Sequence, residues 1–350
     1  MRAMLNVGVI GAGRIGRVHA QNLAHRIPNV QLLAVADPNE RAAREVARVS
    51  GAGLVLADHR EVLSNPQIDA VLICSPTTSH ASMCQEAARA GKHIFCEKPI
   101  SHSLEEIDET LRVVNQAGVK FQVGFNRRFD ANFRRVRQSI ESGEIGVPWL
   151  LHIISRDPAP PPVDYIRTSG GMFLDMTIHD FDMARYLVGD EVEEVFTMAA
   201  VRVDPAIGEA GDLDTALISL RFRGGVIASI DNSRKAVYGY DQRVEVLGSK
   251  GGISTLNNYP NQAIISDGTT IRRDLPLNFF MERYTESFVA EVSEFVEAVL
   301  GDTPVPVSGA DARIPVAMAL AAARSHKEHR PVALAEFEAS REPTVAAAAK

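Results

Sequence analysis

The pattern of apolar positions changes once along the chain. Up to about residue 125, short and nearly unbroken apolar runs alternate with amphipathic stretches. "LNVGVIGAG", "VQLLAVADP", "DAVLICSPT", "HIFCEKP" and "VKFQVGFN" read as strands. "RIGRVHAQNLAHRI", "ERAAREVARVSG", "SHASMCQEAARAGK" and "SLEEIDETLRVVNQAG" read as the helices between them. Ile15, Val18, His19 and Leu23 share one side of the first helix, and Gly51 stops the second. Strands that stay apolar on both faces belong in a parallel sheet covered by helices on each side. Residues 1–125 therefore predict a doubly wound α/β domain of the Rossmann type.

After that point "WLLHIISRD", "EEVFTMAAVRV", "TALISLRF", "GVIASIDNSRK" and "RVEVLGSKG" follow one another through turns such as "RGG" and "GSKGG". Such a meander makes a large, mostly antiparallel sheet. Helices are expected over 127–142, 173–188, 280–300 and 311–326, so residues 126–350 predict an α+β domain. The tail "EASREPTVAAAAK" reads as a weakly packed terminus whose alanines permit a helix.

Composition narrows the function classes. The 350 residues carry 37 Lys and Arg against 44 Asp and Glu, a net charge of -7, with 45% hydrophobic and 23% charged residues. Two ordinary globular cores fit that length and composition. An acidic balance argues against a nucleic-acid surface, because the basic run "NRRF" with "RRVRQ" after it sits among acidic neighbours. No apolar run approaches the ~20 residues that cross a bilayer, and "MRAMLNVGVIGAG" reads as a strand entering a turn, not a leader. A cytoplasmic chain is expected. Cys74, Cys84 and Cys96 are odd in number and lack a C-x-x-C pair, which suggests buried reduced thiols.

The chemistry begins at "GVIGAGRIG". Gly11, Gly13 and Gly16 fit G-x-G-x-x-G between a strand and a helix: the first allows the tight turn, the second lets backbone approach a pyrophosphate, and the third lets helix pack on strand. The helix N-terminus then offers free N–H groups to the phosphates. Asp37 ends the second strand 21 residues after Gly16, where a carboxylate binds the adenine ribose and repels a 2'-phosphate. NAD is expected, in preference to NADP. The bland alternative for Asp37 is an N-cap ahead of "PNERAAR". Ser75 to Thr78 and Lys98 follow the ends of strands on the same crevice edge, although a lysine before proline is often only solvated.

The stretch "FLDMTIHDFDMARYLVG" puts Asp175 and His179 at i, i+4 on one helix face, where a carboxylate can hold an imidazole as a general base. Asp182 lies nearby, and Asp180 is expected to be exposed or capping. A metal held on this face and a buried, satisfied histidine are the competing readings.

Together "GAGRIG", "VADP", "SPTTSH", "EKP", "GFNRRFD", "SRDPAPPP" and "GGMFLDMTIHDFDMARYLVG" resemble the Gfo/Idh/MocA oxidoreductase family (glucose-fructose oxidoreductase, inositol dehydrogenase, rhizopine catabolism). The resemblance covers about residues 5 to 330 and is strongest to the myo-inositol 2-dehydrogenase branch. It implies Lys98, Asp175 and His179 as catalytic residues without a metal. It implies a cofactor site drawing on Gly11, Gly13, Arg14, Ile15, Gly16, Asp37, Ser75, Thr77, His80, Glu97 and Lys98. It further implies substrate contacts from Asn126, Arg128, Asp157, His179 and one of Tyr238 and Tyr240, and a homotetramer built through the second domain's sheet.

The expected reaction is oxidation of a cyclitol, myo-inositol at its axial hydroxyl, to the 2-ketone (scyllo-inosose). His179 takes the hydroxyl proton, Lys98 steadies the charge on oxygen, and NAD accepts the hydride. His152 is a further polar residue suited to a ring of hydroxyls, and Asp157 with "PAPPP" reads alternatively as a rigid loop. Oxidation of scyllo-inositol or a related sugar, a non-catalytic dinucleotide-dependent sensor, and an NAD-dependent glycosidase are the other readings.

Overall fold

The computed structural model describes residues 4–337, so the C-terminal run 338–350 lies outside the described residues. Six strands form the first sheet: β1 (Leu5–Ile10), β2 (Val30–Ala36), β3 (Leu54–Leu56), β4 (Ala70–Ile73), β5 (His93–Glu97) and β6 (Phe121–Gly124). All pair in parallel, in the order β3-β2-β1-β4-β5-β6. Between them run α1 (Arg14–His25), α2 (Glu40–Ser50), α3 (His59–Ser64), α4 (His80–Arg89) and α5 (Leu104–Ala117). The order reverses between β1 and β4, which opens a crevice at their carboxyl ends. Every residue of β4 is fully buried, as its unbroken apolar run requires.

The rest of the chain contributes α6 (Ala131–Glu141), β7 (Pro148–Arg156), α7 (Val163–Ile166), a π-helical turn at Phe173–Thr177 leading into α8 (Ile178–Val188), β8 (Val192–Ala200) and α9 (Pro205–Glu209). It continues with β9 (Thr215–Phe222), β10 (Ile227–Ser233), β11 (Asp241–Gly248), β12 (Gly251–Thr255) and a hairpin of β13 (Ile264–Ser266) and β14 (Ile271–Arg273). It ends with α10 (Phe280–Arg283), α11 (Thr285–Gly301), α12 (Gly309–Glu328) and β15 (Val332–Ala333). The second sheet has the order β12-β11-β7-β10-β9-β8-β15 and is antiparallel except where β7 and β10 run parallel. The architecture is the expected one, an α/β Rossmann lobe plus an α+β lobe.

Helix ends differ from the sequence expectations for local reasons. The helix expected from 127 starts at Ala131, because Asn126–Phe129 forms a 3-10 turn and the Asp130 carboxylate caps the N–H groups of Asn132 and Phe133. The helix expected over 280–300 breaks at Tyr284. α12 tolerates Pro315, and the Asp311 carbonyl, left without a helical donor because proline has no N–H, accepts from Arg185 Nη1 at 3.4 Å.

α11 folds back on the first lobe. Its Val292, Phe295 and Val296 share a core with Leu23, Val46 and Phe95. α8 and α12 cover one face of the second sheet, and Met198, Leu217, Ile227 and Leu247 stand exposed on the other. Among the described residues, no helix is long and apolar enough to cross a membrane.

Candidate active site

The glycine turn has the shape a dinucleotide needs. Gly11 adopts φ 102°, and a Cβ there would meet the Cys74 carbonyl at 2.5 Å. A Cβ on Gly16 would come within 1.9 Å of the Gly11 carbonyl, whereas at Gly13 nothing lies within 4 Å, which leaves backbone open to a pyrophosphate. Asp37 braces this turn: Oδ2 accepts from the Ala12 N–H at 2.7 Å and Oδ1 from the Asn39 N–H at 2.8 Å. The N-cap of α2 is Asn39, which settles the bland alternative for Asp37. Arg14 opens α1, its guanidinium 5.4 Å from the Phe279 ring, and Ile15 packs against the core beneath. Thr77 begins a 3-10 turn beyond Ser75. His80 is buried behind the crevice, its two ring nitrogens each 2.8 Å from a carbonyl, those of Ser75 and Pro99. It clasps the loops after β4 and β5 and does not face the crevice.

β5 ends at Glu97, so Lys98 leaves the sheet at the crevice edge. Its Nζ donates to the backbone carbonyl of Asp175 at 2.8 Å and lies 3.8 Å from Asp175 Oδ1. Asp175 belongs to the π-helical turn, a distortion that recurs at functional sites. Tyr165 donates its hydroxyl to Asp175 Oδ1 at 2.9 Å, and Arg234, fully buried, stands 3.5 Å from Oδ2 and 3.2 Å from Asp212.

This arrangement corrects one expectation. No hydrogen bond joins Asp175 to His179, and His179 Nδ1 is buried without a partner. The π turn breaks the i, i+4 stacking on which the pairing was read, so the carboxylate serves Lys98, Tyr165 and Arg234 instead. His179 stands edge-on to Phe125 at 6.0 Å. Burial, then the charges of Lys98 and Arg127, hold its basicity well below the usual imidazole value, so the ring is neutral at physiological pH.

The two adjacent arginines separate. Arg127 is buried, with Nη1 2.6 Å from Asp180 and Nη2 3.5 Å from the Tyr240 hydroxyl. Arg128 forks onto Asp182 with contacts of 2.7 to 3.0 Å and lines a separate cavity of about 560 Å³ with Arg134, Arg137 and Tyr186, away from Lys98 and His179. Arg127 is therefore the arginine of "NRRF" that neighbours His179. Asp180 is fully buried rather than exposed, bonded to Arg127 and to Asn232 Nδ2 at 2.9 Å. Asp175, His179 and Asp182 do not converge on a common point, since Asp182 turns to Arg128.

Asp157 is half-buried beside this cluster. Burial raises its carboxyl to about 6 against the pull of Arg234 and Arg127. Its backbone is anchored both ways, to Ser233 and Ala236. Tyr240 faces Arg127, whereas the Tyr238 hydroxyl lies between Arg156 and Asp241 at 2.9 and 2.7 Å. Asn126 is buried at the head of the 3-10 turn. His152 points to the exposed sheet face, bonded to Ser229, because it alternates with the buried Leu151 and Ile153. Sequence reading missed Tyr165 and Arg234; "VDYI" after a proline run and "NSRK" at a strand end carry no pattern that marks them.

A nucleotide-type crevice, a lysine at its edge and a neutral histidine now stand together, and comparison with known proteins decides the family. The model described as an oxidoreductase family with an NAD-binding Rossmann fold matches residues 5–125, and that of the GFO/IDH/MocA C-terminal domain matches residues 133–254. The chain belongs to the GFO/IDH/MocA oxidoreductase family. It is similar to a myo-inositol 2-dehydrogenase of Thermotoga maritima, 48% identical over 95% of this chain and 99% of that protein. An inositol 2-dehydrogenase of Rhizobium meliloti is 46% identical over 94% of this chain and 98% of its own. A crystal structure of a probable dehydrogenase from Thermotoga maritima superposes with a TM-score of 0.93 at 48% identity, covering 95% of this chain and 99% of that one. As a family member this chain is an NAD-binding oxidoreductase.

Proposed function

We propose that the chain oxidises myo-inositol at its axial secondary hydroxyl, giving the 2-ketone. The observation that carries the reading is the pairing of the Lys98 ammonium, pinned on Asp175, with the neutral imidazole of His179 at the crevice edge. NAD, when bound, supplies the hydride acceptor. His179 has a nitrogen free to take the hydroxyl proton, and Lys98 offsets the charge that grows on oxygen. Arg127, Asp157 and Tyr240 supply polar atoms suited to neighbouring ring hydroxyls, and a site built this way rejects rings whose hydroxyls point elsewhere. The similarity to inositol dehydrogenases over almost the full chain supports this substrate class.

The test is kcat/KM with NAD for myo-inositol, scyllo-inositol, D-chiro-inositol and D-glucose. Myo-inositol should lead. A preference of ten times or more for scyllo-inositol, about 1.4 kcal/mol in the transition state, would reassign the substrate. No oxidation of any cyclitol would reject the class.

We also propose a homotetramer formed through the open face of the second sheet. Met198 and Leu217 are cross-strand partners there, and Ile227 and Leu247 extend the exposed apolar row. Light scattering on the wild type and on Leu217→Asp should give a tetramer and a smaller species respectively. The three unpaired cysteines, two of them buried, suit the reducing cytoplasm.

A further inference from the structure

Behind the carboxyl end of β5 lies a cluster that the chemistry above does not use. His19 of α1, Glu97 of β5 and Glu291 of α11 bring an imidazole nitrogen and two carboxyl groups within 4.8 Å of one another. His19 and Glu291 are fully buried, and the Glu97 side chain keeps 14% exposure. His19 Nε2 is 2.7 Å from Glu97 Oε1 and 3.9 Å from Glu291 Oε1. Phe95 and Phe288 pack edge-on to the imidazole at 5.3 and 5.8 Å and fix its plane. Neither carboxyl oxygen of Glu291 has a hydrogen-bond partner, and Gln122 Nε2 is taken by the Glu291 backbone carbonyl.

Two carboxyl groups this close and this dry cannot both be ionised. Glu291 is the enclosed one, and burial followed by the charge of Glu97 pushes its carboxyl well above the ordinary range. It therefore holds a proton. Glu97 is the partly open carboxyl group, and the imidazole grips it. A metal ion is the competing occupant. Nitrogen and oxygen each about 2.1 Å from one tetrahedral ion stand roughly 3.4 Å apart, so the 2.7 Å between His19 and Glu97 is a hydrogen-bond distance.

Only one oxygen of Glu97 is used by His19. The other, Oε2, lies beside Gly124, where a Cβ would come within 3.2 Å of it. Glu97 immediately precedes Lys98, on the half of the sheet's carboxyl edge where the nicotinamide half of a dinucleotide lies. The oxidised nicotinamide ring carries a positive charge and the reduced ring does not. We propose that His19, Glu97 and Glu291 form a buried charge-setting triad through which this chain favours oxidised over reduced dinucleotide. Glu97 is the group that acts on the cofactor; His19 and Glu291 are positioning residues. The proposal rests on NAD binding at this crevice.

The experiment compares Kd for NAD+ and NADH, measured by calorimetry and NADH fluorescence, in the wild type, Glu97→Gln and His19→Gln. Glu97→Gln should cut the preference for NAD+ about tenfold and His19→Gln by a smaller factor in the same direction. An unchanged ratio, or equal weakening of both forms, would overturn the proposal. Infrared spectroscopy of the wild type and Glu291→Gln, which needs only folded protein, should show a protonated-carboxyl band lost in the variant. Its absence from the wild type, or a stoichiometric metal in elemental analysis, would also overturn it. A wild type that binds neither form would instead reject the dinucleotide site itself.

Discussion

Lys98 meets Asp175 twice, through Nζ to the backbone carbonyl at 2.8 Å and across 3.8 Å to the carboxylate. The lysine leaves the first sheet and the aspartate sits in the π turn ahead of α8, so this contact joins the lobes and fixes the cation over the crevice. The distortion of the helix and the position of the charge are one feature. A regular i, i+4 helix would have given the carboxylate to His179 instead.

Removing the ammonium should therefore hurt the chemical step more than cofactor binding. Lys98→Met is expected to lower kcat by about a hundred to a thousandfold, the range for losing one preorganised charge donor, with NAD affinity within a few fold. Lys98→Arg should not restore the rate, because a planar fork cannot replace a point charge on one carbonyl. Steady-state kinetics with a parallel NAD titration check both statements.

His179 should behave as a base that stays unprotonated in mild acid. Burial and the nearby cations lower its proton affinity well below 6.5, so the acid limb of kcat/KM assigned to it falls below that pH. His179→Ala should lose about a hundredfold or more in kcat and lose that limb. A wild-type limb centred above 6.5 that vanishes in the variant would reject the electrostatic account.

Much of this was legible in the sequence, and the failures have physical causes. The glycine turn, Asp37 and the strand ends of the first lobe follow from local pattern, since each needs only its own segment. Asp175 and His179 were singled out as neighbours, but their relation was not legible, because a π turn is set by what surrounds the helix: Lys98 and Arg234 arrive from 77 and 59 residues away. Asp180 was read as exposed since nothing in "IHDFD" announces that Arg127 and Asn232 will bury it. The return of α11 to the first lobe is equally invisible to periodicity, which shows an apolar face but not the partner it covers.

Asp157 gives a pH dependence of stability. Its folded value of about 6 exceeds an unfolded value of about 3.9, so the native state keeps a proton that the unfolded chain has released. Stability should therefore fall as pH rises from about 4 to 6 and level off above. Asp157→Asn should flatten that slope and raise stability at pH 7 by about 1 kcal/mol, allowing for solvent screening of a half-buried group. Thermal melts across the range test the sign.

Asp37 braces the glycine turn and is proposed to read the cofactor's ribose as well. Asp37→Ala removes the acceptor for the Ala12 and Asn39 N–H groups, and with it the carboxylate proposed to meet the adenine ribose. NAD should bind at least tenfold more weakly, about 1.4 kcal/mol, and discrimination against NADP should relax. Equal use of NAD and NADP by the unmutated protein would remove the ribose-reading role.

The two arginines of "NRRF" stand in contrasting places, Arg127 on Asp180 beside His179 and Arg128 on Asp182. Arg128 is spent on Asp182, whose carboxylate is fully buried, so Arg128→Met leaves an unpaired charge inside the protein and should cost about 3–5 kcal/mol of stability. Its distance from the Lys98 cluster means that kcat and KM of the surviving folded protein should stay within about threefold. Arg127 pairs with Asp180 and acts on His179, so Arg127→Met should also destabilise, but in addition raise KM for the cyclitol and shift the acid limb of His179 upward by removing a neighbouring cation. Urea unfolding and pH-resolved kinetics on both variants separate the cases. Raised KM and a shifted limb in Arg128→Met, with neither in Arg127→Met, would return the substrate role to Arg128.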